Sequence, residues 1–205
     1  MGGFKKDKTK NIGLTSKDLM KIIAGVDEVG RGSLVGPVYA AAVILNETIN
    51  KKLLKDSKSL SKNKREELFN YIKKNSLWAI GQASVKEIEK INILHASLLA
   101  MKRAIVKLKK KPSLVLIDGN KLPNLKNYNL NFVIKGDQKV PSISAASIIA
   151  KVSRDRFITT LSKKFENYGW EKNSGYGTKE HLKAIKKYGI TKYHRKTFSP
   201  IFNFK

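Results

Sequence analysis

The sequence predicts a layered fold of the α/β or α+β class, with a mixed sheet covered by helices. Three observations predict it. Apolar runs of strand length crowd the first part of the chain, while segments of helical period dominate the later part. Several of the strand-like runs close on acidic residues beside glycine, a pattern of strand ends opening onto a site. At 205 residues, with no internal repeat apparent, the chain fits one domain and can bury a sizeable core.

Residues 1–18 are polar and lysine-rich and are expected to form a flexible basic arm before a catalytic domain spanning 19–205. The first strand is placed at 22–27 and a second, fully apolar, at 38–45, joined by a glycine-rich turn. A basic, serine-rich loop over 55–64 leads into a helix over 63–74 that carries Leu68, Phe69 and Ile72. A strand at 77–84 precedes the capping-box pattern of Ser84 and Glu87, which starts a long helix. Its apolar positions, among them Ile88, Ile91, Leu98, Met101 and Ile105, recur at helical spacing and predict one face packed on the sheet. Short strands at 114–117 and 131–134 deliver Asp118-Gly119 and Gly136-Asp137. Pro141 suits a first helical turn, so a helix is expected over 143–165, and Thr178 caps another before a basic, aromatic tail.

The charge balance points to a polyanionic partner. Lys+Arg number 42 against 16 Asp+Glu, a net charge of +26 spread along the whole chain. An anionic membrane would call for a strongly amphipathic basic helix or a lipidation signal, and neither stands out. Nucleic acid is therefore the favoured partner, although a lysine-rich surface also serves solubility. The absence of cysteine excludes disulfides, thiolate metal sites and a thiol nucleophile. No apolar stretch of about 20 residues and no signal-peptide core occur, so a cytoplasmic location is expected.

Asp27, Glu28, Asp118 and Asp137 carry the chemistry. Each follows an apolar run, and glycine lies beside or near each of them. A single Asp-Gly can simply start a turn. Three such strand ends in an acid-poor chain form a pattern that turns alone explain poorly. Four acids meeting in one place repel, raise one another's pKa and call for a divalent cation. An all-oxygen ligand set fits magnesium or manganese better than zinc, and two such ions suit in-line displacement at a phosphodiester. The glycines of Gly30-Arg31-Gly32 let backbone N–H groups approach something bulky and anionic.

The segments GVDEVGRG, DSKSLS, LIDGN, KGDQKVPSISAASIIAKVSRD and SGYGTKEHLKAIKKYGITKYHRKTF resemble, in order and spacing, the bacterial ribonuclease HII family, also known as type 2 ribonuclease H. The resemblance spans residues 22–198. It implies a ribonuclease-H-like fold, cleavage of the RNA strand of RNA–DNA hybrids, and incision 5′ to single ribonucleotides in duplex DNA, leaving 5′-phosphate and 3′-hydroxyl ends. It also implies that Asp27, Glu28, Asp118 and Asp137 bind a pair of Mg2+ or Mn2+ ions, and that Gly30, Arg31 and Gly32 form the ribonucleotide-reading turn. Tyr176 matches the tyrosine that packs on the deoxyribose beyond the RNA–DNA junction, and Lys58 matches a phosphate-contacting lysine. The sequence departs from the commoner pattern at Ser33, where proline often follows Gly-Arg-Gly, and this bears on the stiffness of the turn.

Other polar residues are read more plainly. His95 is expected on the apolar face of the long helix, partly buried, and Asp155 as an ion-pair partner on its own helix. Phosphate contact is left open for His181 and His194, as are the roles of Lys151 and Arg154. Phe202 and Phe204 are open to a sliding-clamp contact or to internal packing, and the protein is expected to act as a monomer. Two rivals remain: a ribonuclease HIII-like nuclease, which the intact Gly-Arg-Gly and the lack of a sizeable extra N-terminal domain oppose, and a non-catalytic basic nucleic-acid-binding protein.

Overall fold

The computed structural model describes residues 22–54 and 61–204; the expected arm at 1–18 and Lys58 lie outside the described residues. Strands β1 (Ile23–Val29), β2 (Val38–Leu45) and β3 (Ser76–Ala83) form an antiparallel meander. Strands β4 (Leu114–Asp118) and β5 (Leu130–Val133) add in parallel on the other side of β1, giving one mixed sheet in the order β3-β2-β1-β4-β5. The central strands are apolar on both faces because both faces are covered: seven of the eight β2 residues are buried, as a strand between two helical layers requires.

Helix α2 (Val85–Val106) covers one face, where Ala96, Ala100, Met101 and Ala104 pack on Ala24, Val26, Ala40 and Ala42. Helices α1 (Lys62–Lys74) and α4 (Pro141–Ser162) cover the other, with Phe69, Ile72, Ile148 and Ile149 against Ala41 and Val43. The small side chains at the contacts let the helices sit close to the sheet. The closest approach is at Gly25, where a Cβ would lie 2.1 Å from the backbone of Ser142 in α4. Glycine is required at that point of β1, and it sets the height of α4 over the strand end that carries Asp27.

The Ser84–Glu87 capping box forms as expected, and Pro141 occupies the first turn of α4. One expectation is corrected. The segment after Ser84 is two helices joined at Asn92, whose φ of 61° breaks the helix while its side chain accepts the His95 N–H at 3.1 Å. Asparagine tolerates this conformation and caps the second helix in the same move. That cap leaves His95 exposed, so the partly buried position expected for it is also corrected.

The C-terminal segment builds a third core. Short helices α3 (Gly136–Lys139) and α5 (Trp170–Asn173), and α6 (Lys179–Tyr188) capped by Thr178, complete the elements used below. Trp170, Tyr168, Ile185 and Ile201 pack there on Leu34 and Val35, which follow the Gly-Arg-Gly turn. The tail is thus folded against the turn after β1. No helix among the described residues is long and apolar enough to cross a membrane.

Candidate active site

The parallel register of β1 and β4 pairs Val26 with Ile117. One step further along both strands stand Asp27 and Asp118, so the sheet itself brings these carboxylates together. Together with Glu28 they line a pocket of about 330 Å³ whose other walls include Arg65 of α1 and Ser147 and Lys151 of α4. Asp137 is brought to the same neighbourhood from a different direction. It lies buried in α3, next to Gly136, whose N–H donates to Asp118 Oδ1 at 2.7 Å. Asp27 and Glu28 lie inside β1, one or two residues before its end, because pairing with Ala41 and Ala40 of β2 carries the strand to Val29.

Burial dominates the electrostatics of the cluster. Asp27 is 6% exposed, and burial followed by the neighbouring Glu28 charge pushes its pKa up to about 8, with the Ser147 hydroxyl opposing the rise. Burial also raises Glu28, which is partly relieved by Arg31, whose Nη1 lies 3.2 Å from Glu28 Oε1. An all-oxygen donor set in which burial pushes Asp27 and Glu28 toward protonation fits a hard divalent cation. Among the described residues, no three His, Asp or Glu side chains are already gathered in metal-holding geometry. Arg31 engages one of the acids instead. A wider cleft of about 840 Å³ near Lys163, Tyr188 and Lys192 contains a single carboxylate, Glu166, and lacks such a donor set.

The Gly-Arg-Gly turn lies directly beyond β1. Gly30 has a φ of +89°, and a Cβ there would lie 2.2 Å from Nε of Arg154, so this position needs glycine both for conformation and for space. Arg154 is fully buried and donates to the carbonyls of Val35 and Ser174 at 3.1 Å each. Arg195, also fully buried, donates to the carbonyls of Arg31 at 2.8 Å and Gly36 at 2.9 Å. Arg195 therefore holds the turn through the Arg31 carbonyl, while Arg154 packs against Gly30 and ties the following residue Val35 to Ser174. Arg154 also lies 5.7 Å from the Tyr176 ring centroid, and a Cβ on Gly32 would lie 3.9 Å from that ring. Arg195 had no sequence signal: its partners are backbone carbonyls, which every residue carries.

The two histidines serve the interior. Both His181 and His194 are fully buried against Tyr168 and Trp170, which settles the question the sequence left open: neither is placed to reach a phosphate. The indole N–H of Trp170 donates to His181 Nε2 at 2.9 Å, which leaves the proton on Nδ1 to donate to the Tyr176 carbonyl at 2.8 Å. His194 accepts the Thr191 N–H on Nδ1 at 2.8 Å. Lys151 lines the acidic pocket and pairs with Asp155 at 2.9 Å, the structural role expected of Asp155.

A mixed sheet flanked by helices, with acids from β1 and β4 meeting in one pocket, defines a metal-dependent nuclease of ribonuclease-H-like architecture. The family model for ribonuclease HII matches residues 24–201, and the chain belongs to that family. A ribonuclease HII of Pelagibacter ubique (strain HTCC1062) is 85% identical over 182 residues, covering 89% of this chain and 98% of that protein. Among solved structures, ribonuclease H2 from Pyrococcus horikoshii OT3 superposes with a TM-score of 0.74 at 29% identity, covering 89% of this chain and 96% of that one. The ribonuclease HII of Archaeoglobus fulgidus, solved in complex with PCNA, superposes with a TM-score of 0.67 at 26% identity over 86% of this chain and 95% of that one. The chain is an endonuclease of RNA–DNA hybrids that also acts at ribonucleotides in DNA.

Proposed function

We propose that Asp27, Glu28, Asp118 and Asp137 together hold Mg2+ or Mn2+ ions, two at full occupancy, and that the Gly30–Gly32 turn selects the ribonucleotide 5′ to which the strand is cut. The single observation that supports this most is the meeting of Asp27 and Asp118 in one pocket immediately before the Gly-Arg-Gly turn. Bound there, the ions supply activation of the attacking water and stabilisation of the departing 3′-oxygen.

The protein's own residues do the selecting. Backbone N–H and C=O groups of a turn pinned by Arg195 at the Arg31 carbonyl and backed by the Arg154 side chain at Gly30 are rigid enough to bond a 2′-hydroxyl, the group that separates RNA from DNA. Tyr176, 37% exposed, offers its ring to the deoxyribose on the far side of the junction. Lys151 and Arg65 give the pocket a cationic wall for the phosphate, and Lys58 adds a phosphate contact on the strength of its motif. For clamp binding, the half-exposed Phe202 is the candidate contact, while Phe204 packs into the third core.

The decisive experiment incubates a DNA duplex containing one ribonucleotide, and separately a long hybrid, with the protein and either metal. Incision 5′ to the single ribonucleotide is expected. Cutting of the long hybrid alone supports a ribonuclease HIII-like preference, and no cutting of either overturns the reading.

A further inference from the structure

The residue after Gly-Arg-Gly carries a buried hydroxyl. Ser33 is fully buried, and its Oγ lies 3.0 Å from the carbonyl oxygens of both Val35 and Gly175 and 3.3 Å from the Val35 N–H. Val35 belongs to the stretch following the ribose-reading turn; Gly175 immediately precedes Tyr176. The Leu34 N–H reinforces the link by donating to the same Gly175 carbonyl at 2.9 Å. The fit is tight on the other side too, since a Cβ on Gly175 would approach Ser33 Oγ to 3.0 Å. One hydroxyl thus joins two loops 142 residues apart in sequence, at the point where each presents its reading element.

We propose that Ser33 is a positioning residue that sets the spacing between the Gly30–Gly32 turn and Tyr176, and through it the discrimination of an RNA–DNA junction. Proline would stiffen the turn internally but has no hydrogen to donate across the gap. A serine hydroxyl does the reverse: it leaves the turn's own backbone free and fastens it to its neighbour. Spacing matters only where a ribose and the following deoxyribose are read together. A single ribonucleotide demands that reading, whereas within a long hybrid the position beyond the cut is another ribose.

This rests on the roles proposed above for the turn and for Tyr176, so the test carries them as controls. Wild type, Ser33→Ala, Ser33→Cys, Tyr176→Ala and the Ser33→Ala/Tyr176→Ala double variant are compared for kcat/KM on both substrates, with melting temperatures alongside. Losing one buried hydrogen bond should cost Ser33→Ala about 10-fold on the single ribonucleotide but under about 3-fold on the long hybrid. In the Tyr176→Ala background the same change should cost less than about 2-fold, because its effect passes through the tyrosine. Ser33→Cys, similar in volume with a weaker donor, should fall between, and it carries the test should Ser33→Ala not fold.

Equal losses on the two substrates, or full additivity with Tyr176→Ala, overturn the role of Ser33 while the controls stand. Wild type leaving the single ribonucleotide uncut, or Tyr176→Ala losing both substrates equally, overturns the reading of the site and this inference with it.

Discussion

Asp118 accepts the backbone N–H of Gly136 at 2.7 Å, so the carboxylate closing β4 also fastens the turn that carries Asp137. Two of the four candidate metal ligands are therefore mechanically linked before any ion arrives. Asparagine in place of Asp118 separates these duties, since the amide would keep an oxygen to accept that N–H and lose only the charge.

Asp118→Asn and Asp27→Asn should each lower incision by roughly 10²-fold or more while hybrid binding, carried by phosphate contacts, is largely kept. Gel-based incision and a fluorescence binding assay on the same hybrid check this. Unimpaired turnover in either variant refutes the metal assignment.

Gly30→Ala places a Cβ into Arg154 at a φ of +89°, a double penalty of strain and overlap. The turn must move, so cutting of both substrates should fall about 10-fold or more with only a modest loss of melting temperature. Activity matching that of the wild type would show that the turn is not held where this contact places it.

Tyr176→Ala should impair incision at an isolated ribonucleotide more than cleavage of a long hybrid. The ratio of kcat/KM on the two substrates reads this directly, and an unchanged ratio counts against a junction role for the ring.

Acid should loosen the C-terminal core. Burial, and then the adjacent His181, hold His194 down to about 4 from an ordinary value of 6.5, so the folded protein keeps it neutral while the unfolded chain takes up a proton. The stabilisation is complete above about pH 6.5 and is lost as the pH falls toward 4, a total of about 1–3 kcal/mol. Asp27 and Glu28, raised by burial, drift the opposite way, so comparison with His194→Gln isolates the effect: the wild type's advantage in melting temperature over this variant at pH 7 should shrink by pH 4.5, and an unchanged difference counts against it.

Binding of hybrid should weaken steeply with salt, because a chain of net charge +26 releases counterions from the duplex. A titration of affinity against salt concentration checks this, and a flat response would remove phosphate contact as the main source of affinity.

Much of this site was legible because acids are rare in the chain and stand at the ends of apolar runs. The strand register then had only to bring Asp27 beside Asp118, which parallel pairing does. What escaped sequence reading did so for physical reasons that differ from residue to residue. Arg154, Arg195 and Ser33 act on backbone carbonyls, so their partners have no signature of their own, and two more arginines are inconspicuous among 42 basic residues. His181 and His194 looked available to phosphate because the tail is basic, yet the aromatic cluster around Trp170 encloses them. The break at Asn92 was hidden because apolar spacing continues across it.

The guanidinium that grips the Arg31 carbonyl comes from a residue 164 positions later in the chain. The Gly30–Gly32 turn is therefore translated early and locked late. A nascent polypeptide still on the ribosome already bears its acids, but the turn proposed to tell RNA from DNA gains its Arg195 anchor only once the tail has emerged and docked.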